Sequence, residues 1–180
     1  MSKNWILTFC NLQIGLVSLS AAIALSLTSC VTIRSTPMQS ICHTDRQLRR
    51  GESTTVETLA EDPWNCAHVF VRRGNVYQFH VPPSQSWHDA WFRVEPDGHA
   101  SWIYKAYLAP FAPFKRASSC GPFVLIGNVG KESTHDAFPI FDKKQWSPPT
   151  DGWLFCFAND VPGFYWNNSG SVTFTITRIK

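Results

Sequence analysis

The oxygen-bearing side chains best suited to ligand chemistry crowd into one connector, Asn159-Asp160-Val161-Pro162-Gly163-Phe164-Tyr165-Trp166-Asn167-Asn168-Ser169-Gly170-Ser171. Asp160 offers a carboxylate, and Asn167 and Asn168 offer two amide oxygens. A chain folded back on itself adds main-chain carbonyls. Hard oxygens of this kind are what Ca²⁺ prefers, and an incomplete shell accepts an outside ligand. Asx residues and Gly also fill ordinary loops, so a plain structural turn stands as the alternative.

Two strands must position these oxygens. Upstream, Trp153-Leu154-Phe155-Cys156-Phe157-Ala158 is a continuous apolar run, as a strand buried on both faces shows. Downstream, Val172-Thr173-Phe174-Thr175-Ile176-Thr177-Arg178 alternates apolar and polar residues, so one face is buried and the other wet. Pro162-Gly163 suits the two central positions of a type II turn, where glycine supplies the positive φ. Together they read as the bend of a hairpin.

The segment Asn159 to Ser171, with its pattern Asn-Asp-Val-Pro-Gly-x-Tyr-x-Asn-Asn-Ser-Gly-Ser, resembles the calcium loop of the bacterial galactophilic lectin A family. Cys120-Gly121-Pro122-Phe123-Val124-Leu125-Ile126-Gly127-Asn128-Val129-Gly130 is similar to a second segment of that family, and the two occur in the family's order. The resemblance extends from about Pro63 onward. It implies a small all-β sandwich of the galactose-binding-like, jelly-roll type. It implies Ca²⁺ held by Asp160, Asn167, Asn168 and main-chain oxygens including that of Phe164. It places sugar contacts on Asp160, Val161, Phe164 and Asn167. A main-chain ligand among Trp87–Ala90 is implied by a family Trp at about that place. Two departures bear on specificity. Phe164 stands where the family has threonine, and Tyr107 to Arg116 carries neither the His nor the Gln that touches sugar in the family. The resemblance therefore implies the calcium scaffold more than it implies galactose.

The N-terminus reads as an address. Lys3 precedes an apolar run from Trp5 to Leu27, and Leu27-Thr28-Ser29-Cys30 fits a bacterial lipobox. Residues 1–29 are the expected signal peptide, Cys30 the lipidated first residue, and 30–41 a polar tether. Acyl chains contribute about 0.8 kcal/mol per buried CH₂, so two or three of them anchor firmly. Val31 is not the Asp that retains enteric lipoproteins at the inner membrane, which points to an outer-membrane anchor facing the periplasm or the surface.

Residues 42–180 form the expected single domain, long enough to bury a core. The net charge of +3 becomes +2 without Lys3, and the basic residues are scattered, which speaks against nucleic acid as a partner. The eight tryptophans could stack on sugars, although core packing is their commoner role. Once Cys10 leaves and Cys30 carries lipid, Cys42, Cys66, Cys120 and Cys156 remain for two disulfides. Pairing of sequence neighbours, Cys42–Cys66 and Cys120–Cys156, is the expectation among three connectivities.

Along the chain, Arg46–Arg50 reads as a helical turn and Gly51–Val56 as a loop entering a strand. Ala67–Val71 and Val76–Val81 flank Arg72-Arg73-Gly74-Asn75 as strand, tight turn and strand. Ser101–Leu108 reads as a strand, and Pro110 and Pro113 bar one in the loop that follows. Short strands at regular spacing give an all-β sandwich. His88-Asp89 and His135-Asp136 are adjacent pairs, but neighbours in a strand face opposite ways, and no nucleophile elbow is present. The chain is expected not to be an enzyme. Calcium-dependent carbohydrate binding is the favoured function. A structural or protein-interaction module of the envelope, with no sugar or metal, is the other.

Overall fold

The computed structural model describes Cys42 and residues 46–180. The expected signal peptide, Cys30 and the tether lie outside these residues.

Eleven strands and one α-helix make up the described chain: β1 Ser53–Leu59, β2 Asn65–Val71, β3 Tyr77–His80, β4 Trp87–Asp89, β5 Phe92–Val94, α1 Trp102–Leu108, β6 Leu125–Val129, β7 Phe138–Pro139, β8 Gln145–Trp146, β9 Gly152–Ala158, β10 Asn168–Ser169 and β11 Ser171–Arg178. One four-stranded sheet runs β1-β11-β3-β8, and a second runs β2-β9-β6-β7. Every pairing is antiparallel. The two sheets share one core. Val56, Phe79, Phe174 and Ile176 from the first pack with Val69, Val71, Leu125, Leu154 and Cys156 from the second. This is an all-β sandwich. A three-stranded ribbon, β10-β4-β5, sits beside it.

The residue patterns account for which strand lies where. In β11, Val172, Phe174 and Ile176 are fully buried while the threonines between them are not. In β9, Leu154, Cys156 and Ala158 point into the sandwich. Phe155 and Phe157 point outward and are buried as well, because other segments cover that face. Trp64, Trp153 and the Cys42–Cys66 disulfide cover Phe155, and Ala117, Cys120, Val124 and Ile126 pack on Phe157. Hence the unbroken apolar run.

Five expectations need correction. Cys120 and Cys156 are both free. Cys156 faces the sandwich interior and Cys120 the outer layer, so the sheet itself separates the two thiols. The segments around Arg72–Asn75 do not form a hairpin, since β2 pairs with β9 and β3 with β11. The turn carries the chain from one sheet to the other. The same holds for the connector after Ala158, which leaves β9 in one sheet and delivers β11 to the other. Residues 46–49 have no helical structure. Finally, Ser101–Leu108 holds a helix. The Ser101 side chain accepts from the Tyr104 amide as an N-cap, and Tyr104 and Leu108, four apart, form its buried face.

Candidate functional site

The connector after β9 is held by its own short-range bonds. The Phe164 amide donates to the Val161 carbonyl at 3.1 Å, and Gly163 has φ +97°. Pro162-Gly163 thus occupies the turn as the sequence indicates. Nothing lies within 4 Å of a Cβ built on Gly163. Gly163→Ala therefore carries only the backbone strain, about 1–2 kcal/mol. Chemical denaturation should show that loss, with no change in the core.

A 3-10 turn, Tyr165–Asn167, then brings the chain to β10, which pairs with β4: Asn168 faces Asp89 and Ser169 faces His88. This pairing gathers the chemistry. The Asp160 Oδ1 accepts the Val161 amide at 2.6 Å, and its Oδ2 accepts the Asn168 side-chain amide at 2.9 Å. The Asp89 Oδ1 accepts the Asn167 side-chain amide at 3.2 Å, and its Oδ2 accepts the Tyr104 hydroxyl at 2.9 Å. Asn168 also donates to the Ala60 carbonyl. Asp89, Asp160 and Asn168 are all buried. The Oδ1 atoms of Asn167 and Asn168 are buried too, and neither has a hydrogen-bond partner.

The scaffold beneath is tied together by hydrogen bonds and ring contacts. The Tyr165 hydroxyl donates to the Ala158 carbonyl at 2.7 Å. The Arg116 guanidinium lies 4.5 Å from the Trp64 ring centre, 4.8 Å from Tyr165 and 5.1 Å from Phe157. It also donates to the Pro63 carbonyl, and the Arg116 amide donates to the Asp160 carbonyl. Asn159, whose side chain the sequence leaves without a role, is a clamp. Its Oδ1 accepts the Ala117 amide at 2.8 Å, and its Nδ2 donates to the carbonyls of Ala117, Cys120 and Gly121.

Electrostatics set the site apart. Burial raises the Asp89 acid above its ordinary value of 3.8, and the charge of Asp160 raises it further; Tyr104 and Asn167 oppose this. Burial likewise raises Asp160, against the opposing Asn168 and Val161 donors and the Arg116 charge. Two buried carboxylates and two unpartnered amide oxygens are hard-oxygen donors of the kind a divalent cation prefers, although among the described residues no group of three or more His, Cys, Asp or Glu side chains gathers at metal-holding range. The donor set fits Ca²⁺.

No protein-family model and no curated protein sequence matches the chain. The structure is similar to a solved chain titled "EclA N-terminal domain; PllA-like lectin", at 18% identity and a TM-score of 0.48, covering 70% of this chain and 94% of that one.

Of the connector's own residues, Asp160 and Asn168 meet, while Asn167 meets Asp89 of β4. Asn167 and Asn168 approach different carboxylates, one each. Val161 is half-buried, and Phe164 projects its ring outward with its carbonyl accepting the Asn167 amide. Asp89 is the residue that sequence reasoning missed. Its signal was the strand alternation Trp87-His88-Asp89, which puts the carboxylate on the buried face with Trp87 while His88 turns away. β4 is the central strand of its ribbon, so its main chain is engaged on both edges. What it brings to the cluster is the Asp89 side chain. The other pair, His135 and Asp136, does meet, at 3.2 Å, because it lies in an exposed turn. Among the described residues, no Ser or Thr hydroxyl bonds to a histidine ring.

A cleft of about 510 Å³ lies between Val81–Gln85, Glu95–Asp97 and Ile140–Asp142, and does not include Asp160.

A pH dependence follows. Asp89 and Asp160 have folded-state pKa values above those of the unfolded chain. Between the ordinary value and the raised ones, the native state holds protons that the unfolded chain has released. Stability of the calcium-free protein therefore falls as pH rises through that window. Glu52 and Asp142, both lowered, act in the opposite sense. The contribution is isolated by comparing melts of wild type and Asp89→Asn in chelator, from about pH 4 to about pH 7. Wild type should lose more stability than the variant over that range.

Proposed function

We propose that the chain is a non-catalytic, calcium-dependent carbohydrate-binding module of a bacterial envelope, anchored by lipid on Cys30, with an outer-membrane location. The observation that carries this reading is the pair of buried, unpartnered amide oxygens of Asn167 and Asn168, on side chains whose Nδ2 atoms donate to two buried carboxylates. The likeness of Asn159–Ser171 to the galactophilic calcium loop supports it.

Asp160, Asn167 and Asn168 would hold the ion, with the Phe164 carbonyl and the Asp89 carboxylate beside them. Bound calcium supplies a hard electrostatic anchor for two vicinal sugar hydroxyls. The chain's own groups do the rest. Asp160 and Asn167 hydrogen-bond the hydroxyls and fix their orientation. The exposed rings of Phe164 and Trp166 offer apolar surface to the sugar's C–H face, and the partly exposed Val161 adds to it. A sugar other than galactose suits the altered rim.

Calorimetric titration of the full-length chain with calcium, followed by a glycan panel, is the test. A saturable calcium heat followed by calcium-dependent glycan binding is expected. No heat at millimolar calcium overturns the reading.

One observation favours the second reading, an interaction module without metal. Both carboxylates already accept side-chain amides, as in a loop closed upon itself. A protein partner retained equally with and without chelator would decide for it.

A further inference from the structure

Among the described residues, the large exposed apolar side chains include Trp91 beside β5, Trp102 and Tyr107 on α1, Phe111 after it, and Phe164 and Trp166 on the connector. Four of these rings form a row. Trp91 and Tyr107 are 6.3 Å apart between ring centres, Tyr107 and Phe111 are 6.2 Å apart, and Phe111 and Phe164 are 6.3 Å apart. All four remain 40–75% exposed, so their surfaces are open although each touches the next. Phe92 packs beneath the row, 5.5 Å from Trp91 and 5.4 Å from Tyr107.

The row is tied to the site at both ends. Phe164 belongs to the connector itself. At the far end Phe92 packs on Tyr104, whose hydroxyl donates to Asp89. Three separate segments, β4–β5, α1 with the turn after it, and the connector, contribute to it. Keeping so much aromatic surface in water is costly unless a ligand covers it.

We infer that this row is a stacking platform for an extended oligosaccharide, so that the ligand is a chain of sugars and not a single one. The inference rests on the reading of the connector as a calcium-dependent sugar site. The terminal sugar sits at the connector, and the following sugars lay their apolar C–H faces along Phe164, Phe111, Tyr107 and Trp91. A pyranose presents hydroxyls at its edge and C–H bonds on its face, which is what a polar cluster leading into a line of rings accommodates. A lipid surface fits less well: burying the row in acyl chains would bring the Asp89 and Asp160 carboxylates to the membrane face.

The test uses the full-length chain with saturating calcium and three ladders, of galactose, mannose and glucose, each from one unit to four. For the ladder that binds, three or four units should bind at least about tenfold more tightly than one, a difference of about 1.4 kcal/mol. Trp91→Ala and Phe111→Ala, both at exposed positions, should abolish that gain and leave calcium binding and the single-sugar affinity unchanged. Equal affinity for one unit and four, or a gain that survives both variants, overturns the inference and leaves the sugar site standing. Calcium-independent binding to vesicles of phosphatidylethanolamine and phosphatidylglycerol, lost in Trp91→Ala, also overturns it and assigns the row to lipid. Failure of every sugar in the presence of bound calcium removes the reading beneath it as well.

Discussion

Asp160→Asn should lower calcium affinity by roughly 100-fold or more, because ligand charge count sets the strength of such sites. The same change should leave the calcium-free protein at least as stable as wild type. Asp160 is buried 8 residues upstream of Asn168, which donates to it, and its acid form is favoured by that burial. An asparagine keeps the oxygen that accepts the Val161 amide and removes the charge. Asp89→Asn should act in the same direction, since it removes the second charge while keeping an acceptor for the Tyr104 hydroxyl. Thermal melts read both effects. At calcium about 100 times its Kd, the wild type gains about 2.7 kcal/mol. For a domain of this size that is a rise of about 5–10 °C in Tm. Either variant should lose most of the rise. An ordinary exposed carboxylate would show neither the loss of the calcium shift nor the undiminished stability in chelator.

Asn159→Ala should be the most damaging single change to the site's foundation. The side chain makes four hydrogen bonds to the segment Ala117–Gly121. Removing it strands the Ala117 amide and leaves three carbonyls short of a donor, in a position only 1% exposed. A buried group left unsatisfied costs about 1–3 kcal/mol, and relaxation shares the loss among neighbours, so about 3 kcal/mol in total is expected. Denaturant unfolding should show a lowered midpoint with an unchanged slope. Calcium affinity should fall as well, because the same segment leads back to Arg116, whose amide holds the Asp160 carbonyl. A variant with wild-type stability would mean that the segment is not clamped there.

Several features of this site were legible in the residues alone. The uninterrupted apolar run of β9 and the alternation of β11 identify two strands, and Pro162-Gly163 identifies the turn. These are local properties: period, and the φ a glycine permits. Which strand pairs with which is not local. Arg72–Asn75 has the composition of a hairpin turn, yet it joins strands of different sheets, because the partners of β2 and β3 are distant segments. The cysteines illustrate the same limit. Cys120 and Cys156 are sequence neighbours among the thiols, and only the sheet between them shows that they face apart. Helix α1 was hidden by its aromatic content, which favours strands, while its cap and one narrow buried face suffice to wind it. Asp89 was obscured by its neighbour. Next to His88 it reads only as part of an adjacent pair whose side chains face apart, and the informative relation is with Trp87 two residues away, on the same buried face.

The most direct test of the cation site is a crystal structure of the full-length chain grown with calcium, with data collected at a long wavelength. The expected result is one anomalous peak among Asp160, Asn167 and Asn168, within about 2.3–2.6 Å of their oxygens. A cluster without a peak, its amides still donating to the two carboxylates while calcium sits only on the outer surface, would contradict the account.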